Sequence, residues 1–146
     1  MTIQRMDHVG VVVDDLAAAT AFFVELGLEK TGEGSIEGAW ADRVVGLEGI
    51  RTDNVWLKTR DGQSQLELSK FHAPASGHDD QGFVPANTPG IRHLAFIVDD
   101  LDAVVAGLRA RGAELVGDVV RYEDVYLVCF VRGPEGIIVE LAEELS

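Results

Sequence analysis

Two residue types that bind metal ions recur in this sequence at matched places. His8 opens the run His8-Val-Gly-Val-Val-Val-Asp-Asp-Leu16, and His93 opens the run His93-Leu-Ala-Phe-Ile-Val-Asp-Asp-Leu101. Glu67 stands between Leu66 and Leu68, and Glu140 stands between Val139 and Leu141. Neutral imidazole and carboxylate are good ligands for zinc, nickel, cobalt, iron or manganese. Two ionised Glu would neutralise a divalent cation, and four protein ligands leave room for water or substrate on an ion of higher coordination. Taken singly, these residues say little. A lone strand His is ordinarily structural, and a Glu between two Leu is ordinarily the solvated face of a half-buried strand. Recurrence of both types at equivalent places selects His8, Glu67, His93 and Glu140 as one ligand set.

The elements that must position these residues are also duplicated. Residues 8–29 align without gaps on residues 93–114, with nine identities in 22 positions. The identities include the His, the Asp-Asp-Leu triplet and Gly27/Gly112. Shared hydrophobic periodicity alone would not reproduce them. Each copy begins with an alternating β-branched or apolar run, which predicts a strand. The Asp pair predicts an N-cap, a helix follows at about 16–26 and 101–111, and a Gly ends it. A further strand and a hairpin complete each copy, giving strand, helix, then three strands. The hairpins are Asn54–Thr59 with Ser64–Phe71, and Val125–Val131 with Ile137–Glu143.

Strand alternation then fixes the faces. Val9, Val11 and Val13 share one face and His8 takes the other. Leu94, Phe96 and Val98 share one face and His93 takes the other. Glu67 and Glu140 point away from their flanking apolar residues. Each half therefore offers one His and one Glu on the face away from its helix. Pseudo-twofold pairing of the halves would bring those faces into a cleft.

The first copy is longer between helix and hairpin, and the extra residues lie within Gly32–Ile50. Trp40, Val44, Val45 and Leu47 predict a short amphipathic helix there, one that covers the cleft or fills core. Residues 72–90 are rich in Pro, Gly, Asp and small side chains and read as a linker. His72 and His78 fall in it and are expected to face solvent.

Composition narrows the partners. The chain has 146 residues, a formal net charge of −13 and 47% hydrophobic residues. That suits a packed domain and not a disordered one. The acidity argues against nucleic acid and against an anionic membrane surface. The single cysteine, Cys129, lies in an apolar run and reads as a small buried hydrophobe. Residues 1–7 lack a secretory signature and no apolar stretch reaches membrane-spanning length, so the expected setting is cytoplasmic.

Several segments resemble the vicinal oxygen chelate (VOC) superfamily, which includes glyoxalase I, methylmalonyl-CoA epimerase, extradiol dioxygenases and bleomycin-resistance proteins. They are Asp7-His-Val-Gly-Val-Val-Val13, Gln65-Leu-Glu-Leu68, Gly90-Ile-Arg-His-Leu-Ala-Phe96 with Val98-Asp-Asp-Leu-Asp-Ala103, and Gly133-Pro-Glu-Gly-Ile-Ile-Val-Glu-Leu141. The resemblance spans nearly the whole chain. It implies a single VOC domain over 1–146, with module 1 at about 4–71, a linker at 72–90 and module 2 at about 91–146. It implies an α+β fold of two tandem βαβββ modules whose sheets curve around a shared metal-binding cleft. The family's four metal positions fall on His8, Glu67, His93 and Glu140.

The activity so implied is a metal-dependent lyase or isomerase of the glyoxalase–epimerase type. It moves a proton next to a metal-bound carbonyl of a small molecule or thioester, with Glu67 or Glu140 as the base. The metal is Ni, Co, Zn, Mn or Fe, and a homodimer is expected. Two other readings stand beside it. One is an Fe(II) extradiol-type dioxygenase. The other is a metal-free drug- or metabolite-binding protein of the bleomycin-resistance kind, although such binders usually lose the ligand set. The overall negative field disfavours an anionic CoA or glutathione substrate and favours a small neutral one.

Overall fold

The computed structural model describes residues 2–76 and 84–145; His78 lies outside them. The chain divides into two compact units, Met1–Asp79 and Asp80–Ser146. The first contains β1 (Val9–Val12), α1 (Leu16–Leu26), β2 (Glu29–Glu37), α2 (Ala39–Val45), β3 (Arg51–Lys58) and β4 (Gln65–Ala73). The second contains β5 (His93–Ile97), α3 (Leu101–Ala110), β6 (Val120–Tyr122), β7 (Tyr126–Arg132), a 3-10 turn at Pro134–Gly136, and β8 (Ile138–Glu144). Each unit builds one four-stranded mixed sheet, in the orders β1-β4-β3-β2 and β5-β8-β7-β6. The first and last strands of each unit pair in parallel and the others antiparallel. The βαβββ duplication expected from the repeat is the observed α+β architecture. Among the described residues, no helix is long and apolar enough to cross a membrane.

The helices start and stop where the paired sequence signals stand. The Asp15 carboxylate accepts from the Ala18 backbone N–H at 2.9 Å, and the Asp100 carboxylate accepts from Ala103 N–H at 3.1 Å. Both fill an N-cap role, satisfying an N–H that has no partner inside the helix. Glu143 adds a second acceptor for α3, taking the Leu101 N–H at 2.7 Å. Gly27 closes α1 in the left-handed region at φ 112°, where a β-carbon would be strained. Asp15→Ala should therefore cost about 1 kcal/mol, read as a lower urea midpoint. A loss of under a few tenths would mean that the cap is dispensable.

Burial follows the predicted faces. In the first unit Val55, Leu57, Leu66 and Leu68 are buried, with Ala19 and Phe23 of α1, which packs over β3 and β4. The ladder places Val9 and Val11 beside Leu66 and Leu68, on that same inner face. In the second unit Val131, Val139 and Leu141 are buried with Leu101, Val105 and Leu108 of α3. Cys129 is buried, and desolvation raises its thiol pKa, which leaves it the small hydrophobe that its apolar context implied.

Two expectations about the first unit need correction. The insert does form a helix, α2, but of its apolar residues only Ala41 is buried. Trp40 is 57% exposed and Val44 77%, and Val45 and Leu47 are exposed too, so within this unit the helix adds only Ala41 to the core. What holds the segment is polar: Asp42 accepts the backbone N–H groups of Gly49 and Ile50 at 2.8 and 2.9 Å, which keep its carboxyl below the ordinary carboxylate range. His72 is not in a linker. β4 runs on to Ala73, and the His72 Nε2 lies 2.8 Å from Asp53 Oδ2.

β2 carries few strand-favouring residues, and its ladder to β3 holds it. Its Gly32 and Gly34 lie beneath Trp56: a methyl group at either would meet the indole at 3.6 Å. The bare glycine backbone thus makes a shelf for the ring.

Candidate functional site

Each unit assembles one imidazole–carboxylate pair, by the same local rule. β1 and β4 run parallel with Gly10 beside Glu67, so His8, just before β1, lies diagonally from Glu67 on the same face. The His8 Nε2 is 3.1 Å from Glu67 Oε2. In the second unit Ala95 is beside Glu140, and His93 stands at the start of β5. The His93 Nε2 is 3.8 Å from Glu140 Oε1. The neighbour of each Glu on the first strand is thus small, and its neighbour on the other side is aromatic. Trp56 faces Glu67 across the β3–β4 ladder, and Phe130 faces Glu140 across β7–β8. The Phe130 ring also lies 5.1 Å from the His93 ring, centroid to centroid.

The tautomer of His8 follows from its other nitrogen. Nδ1 is 2.8 Å from Asp7 Oδ2, and Arg5 Nη1 donates to Asp7 Oδ1 at 2.9 Å. The hydrogen bonds from His8 and Arg5 hold the Asp7 carboxyl below its ordinary range, so it is ionised and can only accept. The proton of a neutral His8 then sits on Nδ1, and Nε2 turns a lone pair toward a Glu67 oxygen. Two such groups at 3.1 Å call for a cation between them, either a proton or a metal ion. Two donors each about 2.1 Å from one ion are separated by about 3 Å at a right angle and somewhat more in a tetrahedron. The His8–Glu67 pair at 3.1 Å falls within that spacing and the His93–Glu140 pair at 3.8 Å is wider, and the Asp7 carboxylate on His8 Nδ1 is the outer partner that metal-bound His ordinarily has. The donor set fits a divalent metal. Among the described residues, no group of three or more His, Cys, Asp or Glu side chains is gathered as a metal site. The structure brings His8 to Glu67 within the first unit and His93 to Glu140 within the second.

The surroundings of the two pairs differ. On the Glu67 face, Asn54 Nδ2 donates to Thr52 Oγ1 at 2.9 Å and Ser69 Oγ donates to Asn54 Oδ1 at 2.7 Å. Thr52 and Asn54 are buried, and the three side chains form a polar net that Asn54 Nδ2 also ties to the Gly34 carbonyl at 3.3 Å. On the Glu140 face, Ile97, Tyr122, Tyr126, Val128 and Ala142 line an open concavity of about 350 Å³, with Glu140 in its wall. Tyr126, which strand position allows either at the cleft or in rim packing, lines this wall together with Tyr122. The signal was present: Tyr126, Val128 and Phe130 alternate onto the face that carries Glu140, and Tyr122 is the ladder partner of Tyr126.

Known proteins share this architecture. A glyoxalase family protein from Bacillus cereus is 43% identical, with a TM-score of 0.95 over all of this chain and 97% of that one. An uncharacterized protein of Escherichia coli (strain K12), YaeR, is 26% identical over 97% of this chain and 98% of its own length. At 14% identity the fold alone is shared with a variant of the fosfomycin resistance protein FosX from Listeria monocytogenes, solved with Mn(II) and dihydroxypropylphosphonic acid; the TM-score is 0.62 over 96% of this chain and 90% of that one. The family model for the glyoxalase/bleomycin resistance protein/dioxygenase superfamily matches residues 7–130, from the aspartate that orients His8 to the phenylalanine facing Glu140. With the duplicated module and the paired His and Glu already in view, the match places this chain in that superfamily.

Proposed function

We propose that this protein is a metal-dependent lyase or isomerase that moves a proton on the carbon beside a substrate carbonyl. The observation that carries this reading is the His8–Glu67 pair, with Nδ1 held by Asp7 and Nε2 directed at a carboxylate, and its counterpart in His93–Glu140. In this reading all four side chains hold one divalent ion, supplied by Ni, Co, Zn, Mn or Fe. When bound, such an ion polarises the substrate carbonyl as a Lewis acid.

The chain's own groups divide the remaining work. Asp7 fixes the His8 tautomer and ring orientation. His8, His93 and Glu67 would hold the ion throughout, and Glu140 would loosen from it to serve as the base. Glu140 lines the concavity and stands farther from its His than Glu67 does, so it is the carboxylate placed to meet a substrate C–H. Glu140 accepts the proton on one carboxylate oxygen and returns it to the neighbouring carbon, which gives an isomerase or lyase outcome. The same reading includes a homodimer and a cytoplasmic setting, which suits the single buried thiol.

Metal analysis of untagged protein, followed by solvent deuterium exchange, tests the proposal. We expect one divalent ion per ligand set and deuterium entering the carbon beside a carbonyl in accepted substrates. Metal that stays sub-stoichiometric after supply of Ni²⁺, Co²⁺, Zn²⁺ or Mn²⁺ would overturn the reading and favour a metal-free binding protein. Oxygen uptake with catechols in place of exchange would favour the Fe(II) dioxygenase.

A further inference from the structure

The two copies of the module carry different side chains around the candidate ligand carboxylates. Counting from the aromatic residue opposite each Glu, Thr52 and Asn54 of β3 correspond to Tyr126 and Val128 of β7. Counting from the Glu itself, Ser69 corresponds to Ala142. The first half therefore has a polar net whose hydrogen bonds are made among its own side chains and to the Gly34 carbonyl, and the second has an aromatic and aliphatic wall. A polar net that already satisfies its own donors and acceptors gains little from a polar ligand and loses by burial under an apolar one. The wall in the second half has dispersion and hydrophobic contact to offer and, apart from Glu140 and the two tyrosine hydroxyls, no polar group.

We propose that the concavity beside Glu140 seats an uncharged aromatic or branched apolar arm of the substrate, attached directly to its carbonyl carbon. This rests on the proposed role of the His/Glu set as the reaction centre. Three observations carry it. First, the size fits: an apolar cavity of about 150 Å³ accepts benzene, and this one, at about 350 Å³, has room for a ring with a substituent. Second, the charge fits. None of the six lining residues is basic and Glu140 is a carboxylate, so an anionic arm would find no counter-charge in the wall itself. The nearby Arg121 pairs with Leu127 in the ladder, which puts it on the opposite face from Tyr126, and its Nη2 donates to Asp124 at 2.9 Å. Third, the aromatic lining suits the occupant. Tyr122 and Tyr126 present large, stiff surfaces that bury a ring with little loss of side-chain freedom.

The test uses full-length protein in two arms. In the first, metal-free protein is examined by saturation-transfer NMR with acetophenone and with acetone. Acetophenone ring protons should receive transfer and acetone should not. Val128→Asn, which installs the residue that the other half carries, should abolish the transfer. Tyr122→Ala, at an exposed rim position, should weaken it and guards against a folding defect in the first variant. In the second arm, metal-loaded protein is titrated with benzohydroxamate and acetohydroxamate, which share a chelating head. The phenyl compound should bind about tenfold more tightly or better, as the extra buried apolar area predicts. Equal affinities for the two hydroxamates, or acetophenone transfer that survives both substitutions, would overturn the apolar subsite and leave the metal reading intact. Acetophenone seated as expected, with neither hydroxamate bound, would support the subsite and count against the metal.

Discussion

Replacing His8 with alanine is expected to weaken divalent-metal binding more than about 100-fold, because loss of a mere outer partner of a ligand already costs 10–100-fold. The substitution removes the Nε2 that lies 3.1 Å from Glu67 and leaves that carboxylate facing no imidazole. Competition against a coloured chelator, with untagged protein, reads the effect. Asp7→Asn should fall about tenfold, since an amide oxygen can still accept the Nδ1 proton but the charge that favours that tautomer is gone. His72→Ala serves as the control. His72 pairs with Asp53 and touches no member of the proposed set, so the affinity should not change. A wild-type affinity retained in His8→Ala would refute the ligand assignment, and an equal fall in His72→Ala would point to a general loss of structure.

The largest effect on stability is expected at Phe23. It is fully buried in α1 and meets Phe22 edge-on, with ring centroids 5.1 Å apart and planes at 86°. Phe23→Ala removes a ring from a closed interior and leaves a cavity, at a cost of about 3–5 kcal/mol. Against a typical domain stability of about 5–15 kcal/mol, that is a large share. Val44→Ala on α2, where the side chain is 77% exposed, should stay within about 0.5 kcal/mol. Urea unfolding of both variants gives the comparison. A Phe23→Ala loss below 1 kcal/mol would mean that the neighbouring side chains close over the gap.

The contrast between Phe23 and Val44 also marks how far the sequence could be read. The helix starts were legible because an N-cap is local: Asp15 and Asp100 cap from within three residues of the N–H they bind. The faces of β1, β4, β5 and β8 were legible because alternation is local too, and the repeat supplied a second copy against which to check them. The α2 helix was legible as a helix and its surroundings were not. Apolar spacing over seven residues shows which side chains share a side, but whether anything covers that side is a tertiary matter. His72 was misplaced for a related reason. The β3–β4 register shifts at Arg51/Thr52, and a bulge carries no signature in a run such as Phe71-His72-Ala73-Pro74. At the site, the four candidate residues were named, and the structure brings them together as one His–Glu pair in each half. Asp7, Trp56 and Tyr126 could not be ranked, because their roles depend on distances between elements rather than on spacing along one.

The matched ladders have a consequence for how such a protein changes its business. Backbone groups make the hydrogen bonds of both sheets, so the side chains at 52, 54 and 69, or at 126, 128 and 142, can be exchanged with no insertion and no slip of register. Each imidazole–carboxylate pair spans the parallel strands β1–β4 or β5–β8, and its residues are separate from these positions. A doubled scaffold of this kind is tunable one half at a time. A lineage, or an engineer, can re-line one wall for a new guest while the other wall and the anchoring residues keep their old addresses.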